Sequence, residues 1–167
     1  MMAVQWFKKF FVFAATAACA APVLGTQLSS VAQGCIVEAA AYHSVNSAIL
    51  EAIVRHESRG RSDAVSRNTN GSVDIGLTGI NSIHIPELIR KGVAPGRLKD
   101  ECVSIYVGAW KLSQSMFKYD NSWWAVGAYH SRTPQYNLRY QALIYNELVS
   151  MGVIAPPMAF VPPLLRK

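Results

Sequence analysis

The feature that most constrains the fold is an amphipathic run that stops on a carboxylate and gives way at once to turn chemistry. In NSAILEAIVRHES, Ile49, Leu50, Ile53 and Val54 recur at helical spacing, and Asn46 or Ser47 can cap the start. Glu57 falls four residues after Ile53 and seven after Leu50, so it projects from the apolar stripe at the helix's C-terminal end, whereas Glu51 falls off that stripe and is read as solvated. The stretch that follows, SRGRSDAVSRNTNGSVD, is rich in Ser, Asn, Asp and Gly, and Asn70-Gly71 predicts a hairpin between short polar strands.

A carboxyl on an apolar face is desolvated, and the negative end of a helix acts in the same direction, so both effects raise the pKa of Glu57. A general acid working near neutral pH needs that environment, although a buried glutamate satisfied by a core hydrogen bond would produce the same pattern. The second candidate is Asp74, 17 residues on and just past the predicted turn. A helix-end residue and a hairpin residue can face each other across a cleft, the arrangement by which glycosidic bonds are usually broken.

The other segments read mostly as helix. After a linker (26–34), CIVEAAAYH suggests a first helix, and SIHIPELIRKG a short one ended by Gly92. CVSIYVGAWKLSQSMFKY is dense enough in apolar residues to be a core helix, and SWWAVGAYH and PQYNLRYQALIYNELVSMG predict two more, with Gly152 as the stop. Trp110, Trp123 and Trp124 are assigned to the core by spacing, with one of them free to line a groove. The fold class is therefore mainly α (α+β), and the expected layout is one domain over 26–150 followed by a proline-rich, basic tail over 151–167.

Residues 1–25 have the layout of a secretory signal: a basic start, an apolar run from Phe10 to Ala21, then small residues. The run is shorter than the roughly 20 residues a spanning helix needs, which favours cleavage near Ala18-Cys19-Ala20 over a retained anchor. Thr16 stands where a lipoprotein signal ending at Cys19 usually has a large aliphatic residue. Export to the periplasm is the resulting expectation. Two cysteines then remain, Cys35 and Cys102, most simply a disulfide in an exported chain, with two buried thiols as the alternative.

Loss of Lys8 and Lys9 with the signal lowers the net charge from +6 to +4, which suits an anionic polymer but names no partner. The basic residues lack aromatic interleaving, so nucleic acid is not expected. Histidines 43, 56, 84 and 130 have no ligand spacing, so neither a metal nor another cofactor is expected. His56 is read as a flank of the helix rather than a partner of Glu57.

With these residues in view, the run HESRGRSDAVSRNTNGSVDIGLTGINS resembles the catalytic segment of lysozyme-like lytic transglycosylases, in particular the small specialised (IagB/IpgF-like) type that serves bacterial secretion, conjugation and pilus machines. It is also similar to the matching segment of animal c-type lysozymes. The resemblance runs from Cys35 to about Leu148 and takes in DECVSIYVGAWKLS and WWAVGAYH. It implies a lysozyme-like fold with a small hairpin and one disulfide. Glu57 would be the general acid/base, Asp74 the carboxylate of the hairpin side, and Tyr129 a group orienting Glu57 or the sugar. Ser58 would provide structural support, and Gly76, Leu77 and Asn81 would belong to the substrate-binding motif.

The implied substrate is the glycan strand of peptidoglycan, and the implied partners are components of a secretion, conjugation or pilus apparatus, with the protein itself a monomer. Two departures stand out. The usual G-L-M-Q-I-N is here Gly76-Leu77-Thr78-Gly79-Ile80-Asn81, and the usual A-Y-N-A-G is Ala128-Tyr129-His130-Ser131-Arg132. Loss of an amide that donates to sugar is expected to cost about 1 to 3 kcal/mol, a slower enzyme. A lysozyme-type muramidase using Asp74 and a non-catalytic glycan-binding assembly module are the two alternatives.

Overall fold

The computed structural model describes residues 27–155. The segment expected to be a signal and most of the proline-rich tail lie outside the described residues. Among the described residues there are six α-helices and a small antiparallel sheet: α1 (Ser30–Tyr42), α2 (Ser47–Ser58), β1 (Val65–Arg67), β2 (Val73–Ile75), β3 (Ile80–Asn81), α3 (Ile85–Arg90), α4 (Glu101–Tyr119), α5 (Trp123–His130) and α6 (Pro134–Ser150). Short 3-10 turns at Ser82–His84 and Pro95–Lys99 precede α3 and α4.

Side-chain caps fix where several helices begin. Asn46 accepts from the backbone N–H groups of Ala48 and Ile49, Asp100 from Val103, and Ser122 from Ala125. Helix α1 starts earlier than the sequence suggested, because the Ser29 hydroxyl caps it through the Ala32 N–H and Gly34 sits on its exposed side, where a glycine costs propensity but breaks no packing. The linker expected over 26–34 is thus partly the first turn of a helix. Helix α2 ends where Arg59 turns left-handed, at φ 54°.

The predicted hairpin is present, with Ser66 opposite Asp74, and a third strand extends it by pairing Asp74 with Asn81. Gly76 makes the corner between β2 and β3 possible: it has φ +77°, and a Cβ there would lie 2.0 Å from the Leu98 carbonyl oxygen.

Helix α2 is central. Leu50 and Val54 pack with α1, Leu77, Ile105 and Ala109 on one side. Ile53 joins Leu112, Val126, Tyr129, Tyr140 and Ile144 on the other. A third cluster, Ile80, Leu88, Leu98 and Val107, seats the sheet on α4. Cys35 and Cys102 form a disulfide tying α1 to the start of α4, with Cα atoms 5.3 Å apart. None of the three tryptophans assigned to the core is fully buried, and Trp123 is 41% exposed. Their helical spacing placed them on faces that are only partly covered.

Candidate active site

The last turn of α2, the sheet, and helices α4 and α5 enclose a cleft of about 360 Å³. Glu57 lines it from α2, Asn68, Ser72, Asp74, Gly79 and Asn81 from the sheet, Lys111 from α4, and Tyr129 and His130 from α5.

Glu57 reaches the cleft because the residues before it on the same face, Leu50, Ile53 and Val54, are all fully buried and anchor the helix. Its Oε1 accepts a hydrogen bond from the Tyr140 hydroxyl at 2.6 Å. Among the described residues Oε2 accepts none, and it lies beside Gly79, where a Cβ would come within 2.6 Å of it. Burial raises the carboxyl pKa from 4.5 to about 7 and the charge of Asp74 adds to the rise, while the Tyr140 hydrogen bond and the Lys111 ammonium oppose it. The group therefore holds one fixed oxygen and one open oxygen, and is close to half protonated at neutral pH.

Asp74 is held from both sides. Oδ2 accepts from the Asn68 amide at 2.9 Å, and Oδ1 from the Asn81 amide at 2.7 Å. Ser72 links the two amides by accepting a bond from each, so the hairpin, the third strand and the carboxylate form one polar network.

Tyr140 was not identified from the sequence, and it makes the contact to Glu57 that was one of the two roles expected of Tyr129. Tyr129 faces the cleft but donates its hydroxyl to the Thr78 carbonyl at 2.7 Å. Tyr140 is buried in α6 and framed by rings: His130 stacks on it at 5.0 Å, His56 meets it edge-on at 5.4 Å, and Tyr129 lies at 6.2 Å. His56 thus packs on the phenol that holds Glu57.

Of the other residues of the predicted motif, Asn81 lines the cleft, whereas Ser58, Gly76 and Leu77 are buried outside its lining. The Ser58 hydroxyl donates to the Val54 carbonyl and accepts from the Gly60 N–H, closing the end of α2 beneath Glu57. Thr78 turns away from the cleft: it is fully buried, and its hydroxyl donates to the Ser104 carbonyl at 2.7 Å. Its methyl and hydroxyl occupy the space that a side chain at Gly108 would fill, with a Cβ there 2.6 Å from Thr78 Cβ.

A single raised carboxyl at a helix end, facing a carboxylate on a small sheet across an open cleft, defines a lysozyme-like domain. The chain belongs to the Transglycosylase SLT domain family, whose model matches residues 34–138. It is 40% identical over 100 residues to the invasion protein IagB of Salmonella typhimurium, covering 59% of this chain and 62% of that one, so the match spans less than two thirds of that relative's length. It is 32% identical over 123 residues to protein IpgF of Shigella flexneri, covering 71% of this chain and 81% of that one. In fold it is similar to an inactive mutant of the lytic transglycosylase Slt from Pseudomonas aeruginosa, with TM-score 0.57, 22% sequence identity, and coverage of 75% of this chain and 25% of that one.

Proposed function

We propose that this domain is a lytic transglycosylase that cleaves the β-1,4 bond between N-acetylmuramic acid and N-acetylglucosamine in peptidoglycan. The observation that carries the reading is the asymmetry of Glu57, with Oε1 pinned by Tyr140 and Oε2 open to the cleft in a group whose pKa lies at about 7. Such a carboxyl can give a proton from Oε2 to the bridging oxygen as the bond breaks. As carboxylate it can then take the proton of the muramoyl 6-hydroxyl, whose oxygen closes on C1 to give a 1,6-anhydro product. The proton taken up replaces the one released, so the cycle consumes no water.

Asp74 has an electrostatic role in this scheme, meeting the positive charge that develops on the sugar ring. Both its oxygens already accept amide hydrogens, which spreads its charge and favours stabilisation over covalent attack. Tyr129 and Asn81 line the sugar-binding surface. Gly76, Leu77 and Ser58 support it from beneath.

Residues 1–25 direct export to the periplasm, and 26–150 act on the wall as a monomer. Local opening of peptidoglycan for an envelope-spanning secretion, conjugation or pilus machine is the biological role that fits. The similarity to a protein described as an invasion protein supports it.

Mass spectrometry of muropeptides released from purified peptidoglycan tests the reaction. Anhydro-muramoyl ends should dominate, Glu57→Gln should abolish release, and Asp74→Asn should reduce it less. Reducing ends together with equal loss in both variants would establish a lysozyme-type hydrolase. Equal, negligible release by wild type and Glu57→Gln, with both binding the polymer, would establish a non-catalytic module.

A further inference from the structure

The cleft contains a cation that the reaction just described does not use. Lys111 lines the cleft from α4 together with Glu57 and Asp74, and among the described residues it is the one lysine or arginine of the lining. Its ammonium lies 4.5 Å over the Tyr129 ring. Among the described residues it forms that ring contact but no hydrogen bond or ion pair, so its N–H donors have no protein acceptor. An ammonium that has two carboxylates nearby and is bonded to neither is placed for an acceptor that arrives with the ligand. Two of the cleft's neutral donors are already committed: the side-chain amides of Asn68 and Asn81 are both bonded to Asp74. Burial holds the His84 and His130 imidazoles below their ordinary pKa, so neither supplies a charge at neutral pH.

Resting on the peptidoglycan reading above, we propose that Lys111 is a specificity-determining residue that binds the lactyl substituent of the muramoyl sugar. Its ammonium donates to the lactyl carboxylate where the strand is bare, or to the corresponding amide carbonyl where a stem peptide is attached. The lactyl group is the feature that separates the muramoyl sugar from N-acetylglucosamine, whereas hydroxyls and acetamides are common to both. A cation gains most from an acceptor carrying charge, so the bare strand is the preferred form.

Binding of three glycans by calorimetry tests this, using the full mature chain carrying Glu57→Gln to prevent turnover: strands stripped of stem peptides, peptide-bearing strands, and oligomers of N-acetylglucosamine. Adding Lys111→Met should weaken the stripped strands on the order of tenfold and the peptide-bearing strands less. It should leave the N-acetylglucosamine oligomers unchanged, and Lys111→Arg should restore much of the loss. Equal weakening for all three glycans, or no change for any, would overturn the assignment. Melting curves of both variants show whether they are folded. Failure of the parent protein to bind any muramoyl strand would instead strike at the peptidoglycan reading itself.

Discussion

The hydroxyl of Tyr140 donates to Oε1 of Glu57 at 2.6 Å, a contact that spans 83 residues of sequence and joins α6 to the end of α2. It orients the carboxyl and stabilises its charged form, so it opposes the rise in pKa caused by burial.

Tyr140→Phe keeps the ring and removes the donor. The carboxyl pKa should move further up, and since cleavage begins from protonated Glu57, the alkaline limb of the pH–rate profile should move up with it. The rate at the optimum should fall by about tenfold because Oε1 is no longer held. An unmoved limb would show that the hydroxyl does not bear on the ionisation of Glu57.

Glu57 also makes stability depend on pH. With a folded pKa of about 7 against 4.5 for an ordinary carboxyl, the folded state binds more protons between those values, so its stability falls as pH rises through the window and levels off above it. The full cost is about 3 kcal/mol at about 1.4 kcal/mol per pKa unit. Glu57→Gln should therefore melt close to wild type near pH 4 and increasingly above it toward pH 8. A constant difference across that range would contradict the desolvated state of the carboxyl.

Gly79 is tested by Gly79→Ala. Its φ of +58° costs an alanine about 1 kcal/mol, and the new methyl would meet Glu57 Oε2 at 2.6 Å. Because the obstructed atom is the end of a flexible side chain, the carboxyl should swing aside with little effect on folding. Turnover should drop by more than tenfold while the melting temperature falls only a few degrees. Gly79→Gln, the residue usual in related motifs, would meet the same carboxyl, so in this chain it should lower turnover and not regain the amide contact expected from the motif.

The disulfide closes a loop with a sequence separation of 67, worth about 4 kcal/mol at most in the chain-entropy model. The double variant Cys35→Ser, Cys102→Ser should melt roughly 10 to 20 °C lower under non-reducing conditions. Dithiothreitol should lower the wild-type melting temperature toward the same value and leave the variant unmoved.

Legibility from sequence divides along the range of the interactions. Glu57 could be located because the stripe before it and the turn after it are local signals, and Asp74 because Asn70-Gly71 sets the hairpin register. Tyr140 could not be: it lies within PQYNLRYQALIYNELVS, where several tyrosines share similar surroundings and only tertiary packing selects one. Lys111 was hidden for a related reason, since a lysine between Trp110 and Leu112 reads as a solvated helix position and nothing local reveals that the cleft lies above it. The Thr78-Gly79 departure from the usual motif was visible as letters, but its meaning required the fold. Thr78 proves to be a buried anchor on α4, and Gly79 the gap beside the carboxyl.

Thr78 and Gly108 also limit how this chain can be rebuilt. Thr78 fills the notch left by the missing side chain at Gly108, so the loop that forms the floor of the cleft is keyed to one position on α4. The stretch from Gly76 to Asn81 is therefore not a portable module. A chimera that imports a bulkier residue at position 78 must find its room on a helix 30 residues downstream, and a designer who changes one side of the joint without the other inherits a displaced floor.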